Sequence, residues 1–243
     1  WTYRFMGLTL TVGVLAVFVS KEPSVAMVEQ VSFAKAYVAP IKELFSRAGI
    51  IPFLLFIFCF KLGEAFTTTT SGIVMPFLIQ GLGFSLETIG YVNKILGMAA
   101  VLSGGLVAGL LLLRYSIYRS LLYFGLLQAL TNVFFVVLAM SGKNTVILSL
   151  AVFFDNFAAG MGTTALVAFF MRLVDKRYTG TQFSILVAFS SLPRIVSGPV
   201  AAAIQMHIGW VGLYQLSVVC ALLFIPFLKM ITTEKFLPCE CFD

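Results

Sequence analysis

The sequence predicts an all-α, polytopic membrane protein of about seven spans, and three observations predict it. Of the 243 residues, 60% are hydrophobic and 11% are charged, with a mean hydropathy of +1.03. Soluble domains carry about 25% charged and 45–50% apolar residues. The apolar residues also gather into seven stretches, each near the roughly 20 residues a helix needs to cross a bilayer. Finally, the basic residues between those stretches fall on alternate sides.

The expected spans are residues 2–20, 50–79, 89–113, 120–140, 145–171, 181–205 and 211–230. The first opens on Trp1 and Tyr3 and ends at Lys21; the last opens on Trp210 and Tyr214 and ends at Lys229. Interfacial aromatics alone explain that echo; so does a pair of equivalent helices in two repeated halves. Residues 21–49 form the one long polar segment, with Pro23 and Pro40. It ends in Ile41-Lys42-Glu43-Leu44-Phe45, a short amphipathic helix expected at the membrane surface. In the second span Thr67-Thr68-Thr69-Thr70-Ser71-Gly72 is expected to loosen the helix, as Gly160-Met161-Gly162-Thr163-Thr164 is in the fifth. Pro193 and Pro199 remove helix hydrogen bonds in the sixth. Gly97, Gly104, Gly105 and Gly109 give the third the small faces that close helix packing requires.

Charge sets the expected orientation. Lys21, Lys35, Lys42, Arg47, Arg114, Arg119, Arg172, Lys176, Arg177, Lys229 and Lys235 share one side, against Arg4 and Lys143 on the other. By the positive-inside rule the C-terminus is cytoplasmic and the N-terminus outside. An odd span count with an outside N-terminus predicts further sequence upstream. The chain starts with Trp1 and lacks a basic n-region, unlike a signal peptide.

The net charge of +6 lies in short loops, which reads as topology and argues against nucleic-acid binding. Cys59 and Cys220 fall in apolar spans and Cys239 and Cys241 in the tail, so neither a disulfide framework nor a metal site is expected. His207 is the only histidine and reads as an interfacial polar residue. With no metalloprotease motif, phosphate loop or nucleophile elbow, neither an enzyme nor a cofactor is expected.

Five ionisable residues remain inside the spans: Lys61, Glu64, Lys94, Asp155 and Arg194. Each costs about 2.5–3.5 kcal/mol at the centre of a membrane helix on insertion scales, so such residues mark polar pathways. At about 1.5 Å per residue, Lys61, Glu64, Asp155 and Arg194 fall near the middle of their spans, and Lys94 roughly 8 Å from the outer face. Lys61 and Glu64 lie at i and i+3, close enough to pair. The pair is read either as a structural salt bridge or as an acid tuned by a lysine to carry protons. In the last six helices, the first, second, fourth and fifth are expected to face a polar interior, and the third and sixth mostly lipid. Gln128 and Asn132 share one face of the third. Three cations against two acids favour an anionic solute.

Several segments resemble the AmpG muropeptide permease family of the major facilitator superfamily. They are Lys61-Leu62-Gly63-Glu64-Ala65-Phe66, Val92-Asn93-Lys94-Ile95-Leu96-Gly97, Phe153-Phe154-Asp155-Asn156 and Gly160-Met161-Gly162-Thr163-Thr164-Ala165. Thr181-Gln182-Phe183-Ser184, Arg194 with Gly198-Pro199, and Arg114-Tyr115-Ser116-Ile117-Tyr118-Arg119 join them. The resemblance implies a proton symporter of the bacterial inner membrane that imports anhydro-muropeptides, anionic glycopeptides from cell-wall turnover. It further implies that residues 1–20 are the sixth helix, 21–49 the central cytoplasmic loop, 50–230 the six-helix C-terminal half and 231–243 a cytoplasmic tail. Helices one to five of the family pattern have no counterpart, so a separate N-terminal half is an expected partner. In that frame Glu64 and Asp155 carry the proton, Lys61, Lys94 and Arg194 hold solute carboxylates, and Asn93 and Asn156 bond to sugar or peptide. Two alternatives remain: an acetyl-coenzyme A or other organic-anion transporter of the same superfamily, and a non-transporting remnant or structural subunit.

Overall fold

The computed structural model describes residues 2–19, 33–47, 49–68, 72–175 and 178–233. Trp1, Lys21, Pro23, Thr69, Thr70, Ser71, Lys176, Arg177, Lys235, Cys239 and Cys241, on which expectations fell, lie outside them. Among the described residues there are helices and no strand.

Residues 1–38 and 39–243 pack as two units. The first holds α1 (Thr2–Val19), 18 residues or about 27 Å, near the thickness of a hydrocarbon core. The Thr9 and Thr11 hydroxyls donate to the Met6 and Gly7 carbonyls one turn back, so neither is left unbonded on an apolar helix.

The second unit begins within α2 (Phe33–Ser46), and among its described residues four helical stretches, the kinked Thr179–Thr232 included, are long and apolar enough to cross a membrane. Gly49, at φ 81°, turns the chain into α3 (Ile50–Ala65). The first crossing breaks after Ala65, passes Gly72 at φ 77°, and resumes in α4 (Val74–Pro76) and a π turn at Phe77–Gly81. The second is α5 (Leu86–Tyr91), a π turn at Val92–Leu96 and α6 (Gly97–Leu112). Ser85 caps it by accepting from the Thr88 amide at 3.2 Å. Then come α7 (Ile117–Ser141) and α8 (Thr145–Leu173), which Asn144 caps by accepting from the Val146 and Ile147 amides.

α9 (Thr179–Leu222) has 44 residues, about 66 Å at helical rise and more than twice a bilayer's hydrocarbon thickness. Gly209, at φ 70° and ψ −177°, divides it. Ser197 bonds to Ala65, Trp210 packs on Phe77, and Phe224 returns to Phe56 and Phe60. The chain therefore runs along the first crossing and back, making two spans with a reversal that favours glycine. α10 (Phe224–Thr233) continues the returning arm.

The interior is layered. One apolar cluster gathers Leu44, Phe53, Phe56, Phe60, Phe169, Phe170 and Phe224; the other gathers Phe66, Phe77, Phe135, Leu148, Leu213 and Tyr214. Between them in sequence lie polar residues: Lys61 and Glu64 on α3, Gln128 and Asn132 on α7, Asp155 on α8, and Arg194, Ser197 and Ser217 on the two arms of α9. In lipid there is little hydrophobic drive for helices to associate, so close backbone approach and hydrogen bonds must supply it. A Cβ on Gly104 would lie 2.2 Å from the Phe157 carbonyl oxygen, and one on Gly160 2.4 Å from that of Val101. This seam joins α6 to α8.

Two expectations change. Gly160 and Gly162 do not loosen their span: α8 runs unbroken, because these glycines admit neighbours rather than release the backbone. Nor is the third helix of the six mostly lipid-facing. Of α7's apolar window 56% is buried, against 22% for the helix carrying Lys94. Asn132 explains this by donating to the Gly63 carbonyl at 2.9 Å and the Ser217 carbonyl at 3.4 Å, which ties α7 to both neighbours.

At the basic end, Gln182 is fully buried and fastens α2. Its amide donates to the Pro40 carbonyl at 3.3 Å and to Glu43, and it accepts from the Asp175 amide at 2.9 Å. Arg47 pairs with Glu43 and donates to the Leu173 carbonyl at 2.6 Å. The expected short amphipathic helix is thus the end of a longer one, and its residues from Pro40 on are held against the ends of α8 and α9.

Candidate functional site

The site is built from the last two turns of α3 outward. Lys61, Glu64 and Thr67 recur every three residues, the first two on one face of α3 and Thr67 in the turn that follows it. Lys61 Nζ donates to Glu64 Oε2 at 2.7 Å and to Thr163 Oγ1 at 2.9 Å. Across the interface Arg194 Nη2 donates to Glu64 Oε1 at 3.0 Å. Each oxygen of Glu64 therefore binds its own cation. The side chains of Lys61 and Glu64 are 9% and 8% exposed, whereas that of Arg194 is 41% exposed. A buried carboxylate needs such compensation, because removal from water costs several kcal/mol per ion.

Asp155 is bonded differently. It is 3% exposed and accepts from Thr67 Oγ1 at 2.8 Å; among the described residues no salt bridge reaches it. Thr67 follows the last residue of α3 by two positions, and its hydroxyl also lies 3.3 Å from the Glu64 carbonyl oxygen. One hydroxyl thus stands between the two acids at the point where the span breaks.

Backbone carbonyls freed at that break are also satisfied from neighbours. Ser197 Oγ lies 3.2 Å from the Ala65 carbonyl and 3.0 Å from that of Arg194. Beside the triad, Arg194 lines a cavity of about 550 Å³ with Gly72, Gln80, Pro199, Gln205 and Trp210. The cavity combines a cation, two amides and an indole, chemistry suited to a carboxylate and sugar hydroxyls.

Of the predicted site residues, Lys61, Glu64 and Arg194 meet directly, and Asp155 joins through Thr67. Lys94, Asn93 and Asn156 do not. Lys94 is exposed on the π turn before α6. Asn93 is half-buried, with its amide nitrogen unbonded. Asn156 donates to the Val152 carbonyl of its own helix at 2.8 Å, beside Gly97. With Lys94 outside the layer, its cations and acids number two each rather than three and two. Thr67, Thr163 and Ser197 were not predicted as site residues. Their helical spacing held the signal: Thr67 is one turn from Glu64, and Thr163 two turns from Asp155.

The sequence matches the model of the Major Facilitator Superfamily over residues 1–198. It is 37% identical over 219 residues to the anhydromuropeptide permease of Escherichia coli K12, covering 90% of this chain and 44% of the relative. An uncharacterized protein of Haemophilus influenzae is 34% identical over 223 residues, 87% of this chain and 51% of its own. A Rickettsia conorii protein named as an AmpG 4 transporter is 32% identical over 191 residues, 79% of this chain and 45% of its own. The chain spans about half the length of the curated relatives it matches. A multi-pass bundle with a charged layer between two apolar clusters agrees with the family match over most of the chain: it belongs to the Major Facilitator Superfamily.

Proposed function

We propose that the chain forms one half of a proton-coupled transporter of anhydro-muropeptides in the bacterial inner membrane, with its C-terminus cytoplasmic. In this reading residues 1–20 are the last helix of the N-terminal half, 21–49 the central loop, 50–230 the C-terminal half and 231–243 a tail. An N-terminal half supplies the other wall of the cavity, since alternating access requires two halves moving about a shared site. The similarity to the E. coli anhydromuropeptide permease supports the solute class. Transport rather than catalysis is the role.

The observation that carries the reading is the unequal bonding of the two buried acids. Glu64 is held by two cations and Asp155 by one hydroxyl. Protonating Glu64 would strand both Lys61 and Arg194, whereas protonating Asp155 breaks no ion pair. Asp155 is therefore the principal proton carrier, and Glu64 sets the positions of the cations.

Charge balance then couples proton to solute. With Asp155 ionised, the layer of Lys61, Arg194, Glu64 and Asp155 is neutral. With Asp155 protonated it is +1, and a solute carboxylate completes it. A unit charge pair at 4 Å is worth about 4 kcal/mol at an effective dielectric of 20, before desolvation, which is enough to order the two binding events. Arg194 holds the carboxylate from the cavity, with Gln80, Gln205 and Trp210 beside the sugar. A disaccharide-peptide is long enough to reach a second region, where Lys94, Asn93 and Asn156 bind its distal groups.

The test is uptake of labelled anhydro-muropeptide by a permease-deficient cell carrying this chain with a matching N-terminal half. Uptake that rises with an inward proton gradient and collapses with a protonophore is expected. No uptake with the paired halves sinks the proposal. Competition by acetyl-coenzyme A, stronger than by unlabelled muropeptide, would shift the solute to the organic-anion alternative.

A further inference from the structure

A second concave site lies away from the charged layer, at the end of the bundle where basic residues gather. Arg114 follows α6, Arg119 opens α7, Arg172 closes α8 and Lys229 lies in α10. α7 and α10 are pressed together at one point. A Cβ on Gly125 would lie 2.4 Å from Phe224 Cζ, so the phenyl ring occupies the space that the missing side chain leaves. Toward the basic end the helices leave a groove of about 340 Å³ between them. Its walls are Leu122, Ile225 and Leu228, and Arg119 and Lys229 stand at its rim with Thr232.

Register puts the two cations level. Arg119 is six residues from Gly125, and Lys229 five from Phe224, about 9 and 8 Å along their antiparallel helices. Both are exposed. On the other side of the contact Leu126 and Leu223 are 39% and 44% exposed, so the neighbouring surface is apolar. Tyr115 and Tyr123 meet edge to face at 6.4 Å near the same end, and tyrosine is a residue type that favours the boundary between acyl chains and headgroups. The groove thus has an apolar floor, with the side chains of Arg119 and Lys229 at its mouth.

We infer that this groove binds an anionic phospholipid, its phosphate between Arg119 and Lys229 and an acyl chain along Leu122, Ile225 and Leu228. The charge pattern selects the occupant. A zwitterionic headgroup would bring its own ammonium toward the two cations, whereas an anionic one brings a net negative charge and no competing amine. Basic pockets between helices at a cytoplasmic face are suited to acidic headgroups, and each cation near such a surface is worth about fivefold in binding. A lipid wedged there would brace α10 against α7 beyond the Gly125–Phe224 contact, and so hold the returning arm of the α9 hairpin.

The experiment uses the full chain purified from bilayers of equal parts phosphatidylglycerol and phosphatidylethanolamine, with retained lipid counted by native mass spectrometry. The wild type is expected to retain phosphatidylglycerol preferentially. R119Q/K229Q should lower that retention by about 25-fold at unchanged helicity, the product of two fivefold losses. Leu122→Trp, which fills the groove and keeps both charges, should lower it as well. Arg114→Gln, at the same end but outside the groove, should not. Equal retention of both lipids by the wild type overturns the inference, as does a double variant that retains phosphatidylglycerol like the wild type.

Discussion

Thr67 Oγ1 donates to Asp155 Oδ1 at 2.8 Å, and the same hydroxyl lies 3.3 Å from the carbonyl oxygen of Glu64. One small side chain thereby bonds the acid without a cation and touches the backbone of the acid with two, at the break that follows α3. Removing it should be felt at both. Thr67→Val leaves Asp155 buried without its donor, a loss of about 1–3 kcal/mol for an unsatisfied group. Thermal unfolding of the purified chain should show that loss, and Thr67→Ser should restore most of it. A Val variant as stable as wild type would show that the hydroxyl is incidental.

Glu64 holds Lys61 and Arg194 together. Glu64→Gln strands two cations, and breaking a buried pair typically costs about 3–5 kcal/mol. Denaturant titration should find the variant severely destabilised. Adding Lys61→Met should recover part of the loss, because one buried charge is then no longer left unpaired. Equal stability of the single and double variants would contradict the triad.

The α6–α8 seam separates glycines that pack from glycines that do not. Gly104→Ala and Gly160→Ala would place a methyl 2.2 and 2.4 Å from backbone oxygen, which forces the helices apart. Gly109 meets nothing within 4 Å. The first two should lower folded yield and melting temperature sharply, and Gly109→Ala should do neither. Identical melting of all three would remove the seam as a source of stability.

Gln182 joins α2 to the α8–α9 connection. Gln182→Ala removes these bonds while leaving the Arg47–Glu43 pair in place. Limited proteolysis should then cut near residues 40–47 several-fold faster, with the rest of the bundle equally resistant. An unchanged cleavage rate would mean that packing of Leu44 alone holds the segment.

The all-α, membrane-spanning character was legible because hydropathy and length are local properties that a bilayer reads almost directly. So was the first break: five consecutive hydroxyl residues followed by a glycine have few ways to continue an apolar helix. The charged layer was legible in depth, since residue count along a helix converts to distance. It was not legible in azimuth. Lys94 has the same composition signal as Lys61, yet its helix turns it outward, and only the packing of α5 and α6 decides that. Glycine was ambiguous for a related reason. Gly160 loosens a helix when nothing is near it and locks one when a neighbour's backbone enters, and here Val101 does. Gln128 and Asn132 should have argued for enclosure of α7, because buried amides need partners on other helices.

The most direct measurement is solute accumulation against exchange in vesicles holding the paired halves, with Asp155→Asn compared to wild type. Asparagine keeps the size and the hydrogen-bonding capacity toward Thr67 but cannot lose a proton. Wild type should accumulate anhydro-muropeptide under an inward proton gradient. Asp155→Asn should exchange internal for external solute at a similar rate and accumulate none. Accumulation by Asp155→Asn to the wild-type level would show that the coupling proton travels elsewhere, and would contradict the division of roles between Asp155 and Glu64.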